Sequence, residues 1–216
     1  MSNIIINPYN FVLPTPTLPF IDDFTGADNF SVTGGGYSFN AASDRLDFNI
    51  PINTLTKGVY DLGSVYGNIG ADDWYMFWDE IVTSLTGSAA TVSMGGAISP
   101  ADDYAASNYY TIDVSGDSTH WSFCYANGEY ASNGGTWIVG TMYYYAIRVT
   151  ASTGATTFKR YASAADRTSD TSPQFTVSKT PASNETGLKW VYFGNSRPTN
   201  KWVAVGYIDY VEVGLQ

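Results

Sequence analysis

Aromatic side chains are the most prominent chemistry-bearing residues of this 216-residue chain, supplying 16% of it with 17 tyrosines and six tryptophans. Flat aromatic rings stack against the C–H faces of sugars, and the polar tips of Tyr and Trp add hydrogen bonds. Trp121 and Tyr125 share one face of a predicted strand, whereas Tyr130 and Trp137 fall in Gly-rich segments that we expect to be loops. We predict a carbohydrate-binding role for these four residues. Core packing is the alternative for any single ring.

Acidic residues recur in adjacent pairs, namely Asp22-Asp23, Asp72-Asp73 and Asp102-Asp103. Carboxylates of this kind suit Ca²⁺, which accepts oxygen ligands without strict geometry, but none of the pairs has the spacing of a dedicated calcium loop. We therefore expect most of these acidic pairs to be solvated turn residues. Asp209 differs, because strand alternation places it on the same face as the apolar Val211 and Val213. A buried carboxylate there predicts a metal or a hydrogen-bond network beside it.

Catalytic constellations are missing from the sequence. Glycoside hydrolysis needs two carboxylates in one cleft, about 5–10 Å apart. Asp209 and Glu212 are three positions apart, and Asp79 and Glu80 are adjacent, so alternation sends the members of each pair to opposite faces. His120, the only histidine, has no serine-elbow or cysteine-nucleophile context. We therefore expect no enzymatic activity, and glycoside hydrolysis is the last alternative.

The elements that must position these residues are strands, because short alternating runs end in turn residues throughout the chain and helical periodicity is nearly absent. Asn127-Gly128 and Ser152-Thr153-Gly154 are typical turn signals. Within Trp74–Val82, the alternation puts Trp74, Met76 and Trp78 on one face. The pattern predicts an all-β fold in which two antiparallel sheets form one sandwich domain over residues 20–216.

Residues 1–19 have a different composition, with an apolar run at Ile4–Ile6 followed by prolines at positions 8, 14, 16 and 19. Proline fixes φ and removes an amide donor, so we predict an extended Pro-rich N-terminal arm that does not enter a sheet. The arm crosses its own sandwich, reaches a neighbouring subunit or is disordered. Copies of this chain, or a capsid or tail protein, are the partners that it would contact.

Charge and cysteine content narrow the function classes. A net charge of −10 with only ten Lys and Arg argues against nucleic-acid binding. The single cysteine, Cys124, excludes an intramolecular disulfide. The N-terminus lacks the basic and apolar regions of a secretory signal, and no stretch approaches the ~20 apolar residues of a membrane span. We expect a protein that stays in the cell or is released without its own signal, by lysis or as part of a particle.

Several degenerate motifs are similar to those of one known fold family. They are Phe20–Phe24, Tyr60–Gly63, Tyr143–Arg148, Val191–Asn195 and Gly206–Val213. Together they resemble the concanavalin A-like, laminin-G-like jelly rolls. The resemblance implies a two-sheet jelly roll whose first and last strands are neighbours. It also implies a structural Ca²⁺ at the positions that match Asp23 and Asp209. The Glu-x-Asp-x-Glu strand of related hydrolases does not occur here.

Two functional hypotheses follow. Domains of this type also occur as accessory proteins on phage particles, so the first hypothesis is a non-catalytic structural or adhesive protein, decorating a virion or associated with its tail. It would be found on the virion surface, or outside the cell after release without a signal peptide. The second is a carbohydrate-binding module for a polysaccharide, with the Trp and Tyr side chains as its platform. The two hypotheses are compatible, since a particle protein can bind surface glycans.

Overall fold

A computed structural model describes residues 18–26, 29–52, 54–87, 94–102, 109–115, 121–195 and 202–216. These residues form two antiparallel β-sheets packed face to face, which confirms the predicted all-β sandwich. Of the predicted arm, only Leu18 and Pro19 belong to the described residues, so its structure and the proposed boundary at residue 20 stay predictions. No described helix is long and apolar enough to cross a membrane.

Sheet A has eight strands. In spatial order they are β13 (Phe175–Lys179), β12 (Ala155–Tyr161), β11 (Met142–Thr150), β6 (Trp74–Gly87), β15 (Trp202–Leu215), β4 (Arg45–Ile50) and β3 (Tyr37–Asn40), with β1 (Phe20–Asp22) also paired to β15. Phe20 lies opposite Val213. The first and last described strands are therefore neighbours, as the family resemblance implied.

Sheet B has seven strands. In spatial order they are β10 (Glu129–Thr136), β9 (Trp121–Ala126), β8 (Tyr110–Ser115), β7 (Met94–Ser99), β14 (Trp190–Asn195), β5 (Lys57–Asp61) and β2 (Ser31–Thr33). Two short helices, α1 (Leu62–Tyr66) and α2 (Ala164–Ser169), follow β5 and β12. Each helix begins at a polar cap, because Asp61 accepts a hydrogen bond from the Ser64 amide and Ser163 accepts one from the Asp166 amide.

The core lies between the two sheets and follows the predicted alternation. Trp74, Met76 and Trp78 of β6 are fully buried, and Trp78 stacks on Tyr145 of β11 with ring centroids 5.0 Å apart. Stacked and edge-to-face aromatic pairs of this kind stabilise a core beyond the area they bury. Most of the aromatic excess that prompted a binding hypothesis is therefore used in packing.

A smaller apolar cluster lies on the outer face of sheet A, beneath α2. Phe77 and Tyr161 are buried there, and the Arg167 guanidinium of α2 lies 5.3 Å from the Phe77 ring centroid. Arg167 also donates a hydrogen bond to Asp79. Since Arg167 is only 4% exposed, the helix is fixed to the sheet by a buried ion pair.

Candidate functional site

A row of register partners crosses the outer face of sheet B from one edge to the other. In order it contains Tyr130, Tyr125, Thr111, Ala97, Tyr192, Val59 and Ser31. Thr111, Ala97 and Tyr192 in the middle are fully buried, whereas Tyr130 and Ser31 at the ends are exposed. The outer face therefore offers two separate accessible areas.

The first area is a tyrosine patch formed by Tyr109, Tyr125 and Tyr130. The Tyr125 ring centroid lies 5.8 Å from that of Tyr109 and 5.7 Å from that of Tyr130. Tyr130 is 49% exposed, and it lies on strand β10 rather than in the loop that the sequence predicted. Two of the four sequence-predicted aromatic residues, Tyr125 and Tyr130, are thus brought together on one surface.

Of the other two predicted residues, Trp137 does not belong to this patch. Trp137 follows β10 directly, but its side chain is only 4% exposed and belongs to the main core cluster. The expectation that a tryptophan in a Gly-rich loop has no core to fill was therefore wrong. The backbone of Trp121 lies in β9 between Ser115 and Thr136, and its side chain falls outside the described residues.

The second area is a depression of about 410 Å³ at the other end of the row, which we call the Trp190 groove. It is lined by Asn29, Ser31, Thr33, Val59, Tyr60, Asp61, Ser64, Asp102 and Trp190. Trp190 is half-buried and packs on the buried Val59 and Tyr192. One aromatic ring is therefore held in a fixed position beside several polar side chains.

Hydrogen bonds within the Trp190 groove leave part of its polar surface available. The Asp61 carboxylate caps α1 through the Ser64 amide at 3.0 Å, and a carboxylate oxygen of Asp102 lies 3.3 Å from Lys57 Nζ. The exposed hydroxyls of Ser31 and Thr33 make no hydrogen bond to another described residue. Such a combination of one ring and several donors and acceptors suits a neutral, polyhydroxylated ligand.

Sequence reasoning did not single out Trp190, although a signal was present. In Trp190-Val191-Tyr192-Phe193, strand alternation puts Trp190 and Tyr192 on one face and the apolar Val191 and Phe193 on the other. Val191 and Phe193 are buried in the main core, so Trp190 and Tyr192 must occupy the outer face. The polar partners come from β2 and the residues before it, from β5 and α1, and from the segment after β7, and no pattern within one segment reveals that juxtaposition.

Comparisons with known proteins place the fold. No protein-family model and no curated protein matches the sequence. Solved structures do match. Lectin I-B4 from Griffonia simplicifolia is 10% identical with a TM-score of 0.63, covering 93% of this chain and 100% of its own. The acidic lectin of winged bean, complexed with methyl-α-D-galactose, is 11% identical with a TM-score of 0.59 over the same shares of the two chains.

The chain has the concanavalin A-like jelly-roll fold. The GH43 protein BlXynB from Bacillus licheniformis also matches, with 11% identity and a TM-score of 0.60. This match covers 91% of the present chain but only 39% of that protein. At 10–11% sequence identity, similarity to these solved structures shows the concanavalin A-like fold alone, and the function has to be argued from the sites themselves.

Asp23 and Asp209, the positions suggested for a structural Ca²⁺ in a concanavalin A-like domain, do not form a metal site among the described residues. Asp23 is exposed, and its Oδ1 accepts hydrogen bonds from the Thr25 amide at 3.1 Å and the Thr25 hydroxyl at 2.7 Å. In the described parts of the chain, no group of three or more His, Cys, Asp or Glu side chains is arranged to hold a metal. Asp23 and Asp209 therefore do not form a Ca²⁺ site with the described residues, and the calcium prediction lacks structural support in that part of the chain.

Asp209 lies at a β-bulge, which changes its predicted surroundings. Ile208 pairs with Glu80 and Tyr210 with Asp79, so Asp209 is an extra residue in β15. Ile208 rather than Asp209 joins Val211 in the core. Burial raises the pKa of Asp209, and the charges that oppose this are Arg45 and Arg167 on the outer face of sheet A. Its Oδ1 is buried and has no hydrogen-bond partner in the described chain.

The sequence predicted that the side chains of Asp209 and Glu212 point to opposite faces of the strand. This prediction was wrong, because the bulge places both carboxylates on the outer face of sheet A. Glu212 accepts hydrogen bonds from the hydroxyls of Tyr75, at 2.6 Å, and Tyr210, at 2.5 Å. Both of its oxygens are therefore engaged. The expected lack of catalytic activity stays a prediction.

Proposed function

We propose that this concanavalin A-like chain is a non-catalytic glycan-binding module and that the Trp190 groove is its principal site. The observation that carries the proposal is the fixed Trp190 ring in one depression with the Ser31 and Thr33 hydroxyls, which bond to no other described residue. A pyranose presents a C–H face that packs on a flat ring and hydroxyls that both donate and accept hydrogen bonds. A volume of about 410 Å³ is within the ordinary range of small-ligand sites.

The tyrosine patch is a second contact area for the same class of ligand. Tyr125 and Tyr130 present rings at 66° to each other, and Tyr130 is 49% exposed. Strand β10 lies four strand spacings from β14, which is about 19 Å at the usual spacing. The patch would therefore contact a different part of a long glycan, or a different glycan, from the unit in the Trp190 groove.

The test is a glycan array that includes methyl-α-D-galactose and galactose, the ligands in the solved structures of the winged bean acidic lectin and of lectin UEA-II. The native protein is compared with Trp190→Ala and Trp190→Phe. We expect specific hits that Trp190→Ala weakens about ten-fold or more, equivalent to ~1.4 kcal/mol, with Trp190→Phe between the two because it keeps a smaller ring. Tyr130→Ala should weaken binding less.

The matched control is Ile138→Ala, which removes a side chain that is 65% exposed and lies outside the groove. It should bind as the native protein does, and all variants should keep the native melting temperature within a few degrees. A blank array, or hits that are the same for native protein and Trp190→Ala, would contradict the proposal.

A structural or adhesive role on a virion is a separate proposal that originates from the sequence. It concerns the arm of residues 1–19, of which residues 1–17 fall outside the described residues, and it predicts copies of this chain or a capsid or tail protein as partners. Location on a virion surface, or outside the cell without a signal peptide, belongs to the same proposal. It is compatible with glycan binding and is tested by truncation of the arm.

A further inference from the structure

A second depression, of about 460 Å³, lies on the outer face of sheet A, and we call it the Arg45 groove. Its polar and aromatic lining comes from β3, β4, β6 and β15, and consists of Ser38, Arg45, Asp47, Phe48, Asn49, Thr83 and Tyr207. In β4, Arg45, Asp47 and Asn49 alternate with Leu46, Phe48 and Ile50, which are buried in the core. The groove therefore opens away from the sandwich interior.

The guanidinium in this groove is held in one orientation. Arg45 stacks on Tyr207, with Cζ 4.0 Å from the ring centroid, and its Nε donates to Asp47 Oδ1 at 2.6 Å. The other oxygen of Asp47 accepts a hydrogen bond from the Asn40 amide at 2.8 Å. Because three contacts fix the pair, its side chains lose little further conformational entropy when a ligand arrives.

Arg45 and the polar side chains near it have donors and acceptors that are not used by other described residues. The two terminal amino groups of Arg45 make no hydrogen bond to another described residue, and the side chains of Ser38 and Asn49 are exposed and similarly unengaged. A guanidinium beside a carboxylate, an amide and a hydroxyl offers donors and acceptors within one small area. This matches neighbouring hydroxyl groups, each of which donates one hydrogen bond and accepts others.

The local charge favours a neutral ligand over an anionic one. Arg45 is the one cation of the groove lining, and Asp47 is bonded to it. A second carboxylate, Asp209, is close enough to Arg45 to interact electrostatically with it. Two carboxylates beside one guanidinium leave no surplus positive charge for a phosphate, a sulfate or an acidic sugar, and the whole chain carries −10.

We infer that the Arg45 groove is a second site for a neutral sugar, so that one chain holds two glycans on opposite faces of the sandwich. The Trp190 groove opens from sheet B and the Arg45 groove from sheet A. Packed sheets are about 10 Å apart, so a single sugar ring cannot span both sites. The inference rests on the proposed function. Its consequence is that the module can cross-link glycans instead of only attaching to one.

A four-protein comparison on the glycan array tests this inference, using native protein, Trp190→Ala, Arg45→Ala and the double variant. We expect Trp190→Ala to keep binding some glycans that Arg45→Ala no longer binds, and Arg45→Ala to keep binding some that Trp190→Ala no longer binds. The array signal of the double variant should be at least ten-fold lower than that of either single variant. If Trp190→Ala alone removes every signal, or Arg45→Ala matches the native protein on every glycan, the second site does not exist while the proposed function survives. A blank array for the native protein rejects both.

Titration of the full chain with a free oligosaccharide gives the number of sites independently of oligomeric state. The probe is the soluble form of the array glycan with the strongest native signal. We expect two molecules per native chain and one per chain for each single variant. Asn49→Ala serves as a milder variant in case Arg45→Ala lowers the melting temperature, and it should weaken one of the two sites about three-fold or more. One molecule per native chain overturns the inference.

Discussion

At the scale of single residues, Trp137 shows how burial decides between a packing role and a binding role. Its side chain is 4% exposed and contributes to the main core, so Trp137→Ala should leave a large cavity. We expect a loss of about 3–5 kcal/mol in the free energy of unfolding, as for other buried Trp→Ala changes. Urea unfolding measures this. Glycan binding by the folded fraction should be unchanged, and a selective loss of binding at native stability would restore the original hypothesis.

Asp79 makes stability depend on pH. Burial, reinforced by the Asp209 charge, raises the pKa of Asp79 from its ordinary 3.8 to about 7 despite the Arg167 guanidinium. Between these values the folded chain keeps a proton that the unfolded chain has released, so the free energy of unfolding falls as pH rises from about 4 to 7 and levels off above. The contribution is on the order of 4 kcal/mol at most, since one pKa unit corresponds to about 1.36 kcal/mol.

The measurement is the unfolding free energy of native protein and Asp79→Asn at intervals from pH 4 to pH 8. Asp22 and Asp209 also have raised pKa values and change stability in the same direction, so the difference between the two proteins is the informative quantity. We expect that difference to shift in favour of Asp79→Asn as pH rises from about 4 to about 7, and to stay constant above that range. A difference that is constant with pH would mean that Asp79 does not titrate in this range.

Single residues also show where sequence reasoning reached its limit. The rings of Tyr125 and Tyr130 meet because β9 and β10 are adjacent antiparallel strands, joined at the predicted Asn127-Gly128 turn. Asp209 was assigned to the wrong face because a bulge inserts one residue into β15 and reverses the alternation before it. The hydrophobic pattern of one strand does not contain that insertion, which depends on how β6 pairs with it.

At the scale of elements, α2 is the feature that a strand pattern cannot foresee, because its six residues are too few for helical periodicity. It is fixed by Arg167, whose guanidinium bonds to Asp79 and lies 4.8 Å from the Tyr210 ring centroid. At about pH 8, where Asp79 is ionised, we expect Arg167→Ala to cost about 3–5 kcal/mol, because it leaves a charged carboxylate buried without its partner.

A double-mutant cycle separates the pair from its surroundings. Replacing both members, with Asp79→Leu and Arg167→Leu, should cost much less than Arg167→Ala alone, since an apolar pair carries no desolvation penalty. Urea unfolding of the native protein, Asp79→Leu, Arg167→Leu and the double variant gives the coupling energy between the two residues, for which we expect at least ~1 kcal/mol. If the effects of the two single changes simply add, the ion pair does not hold α2 in place.

At the scale of the whole molecule, more of the fold than of the candidate sites could be predicted from the sequence. Alternation and turn signals predicted a two-sheet sandwich, and the resemblance predicted that β1 and β15 are neighbours, both of which are confirmed. The two grooves each take residues from three or more strands or connections that are far apart in sequence. They arise from the order of strands within each sheet, which local patterns leave open.

The arm is tested at this scale by comparing the full chain with a variant that lacks residues 1–19. The variant should fold, because β1 begins at Phe20 and pairs with β15. The Phe20 ring also stacks on the Tyr60 ring, with the two ring centroids 4.3 Å apart. We expect light scattering to give an oligomer for the full chain and a monomer for the variant, at melting temperatures within a few degrees. Because strand pairing within the sheets does not need the arm, an equal mass for both proteins would reject its role in assembly and leave the glycan-binding proposal intact.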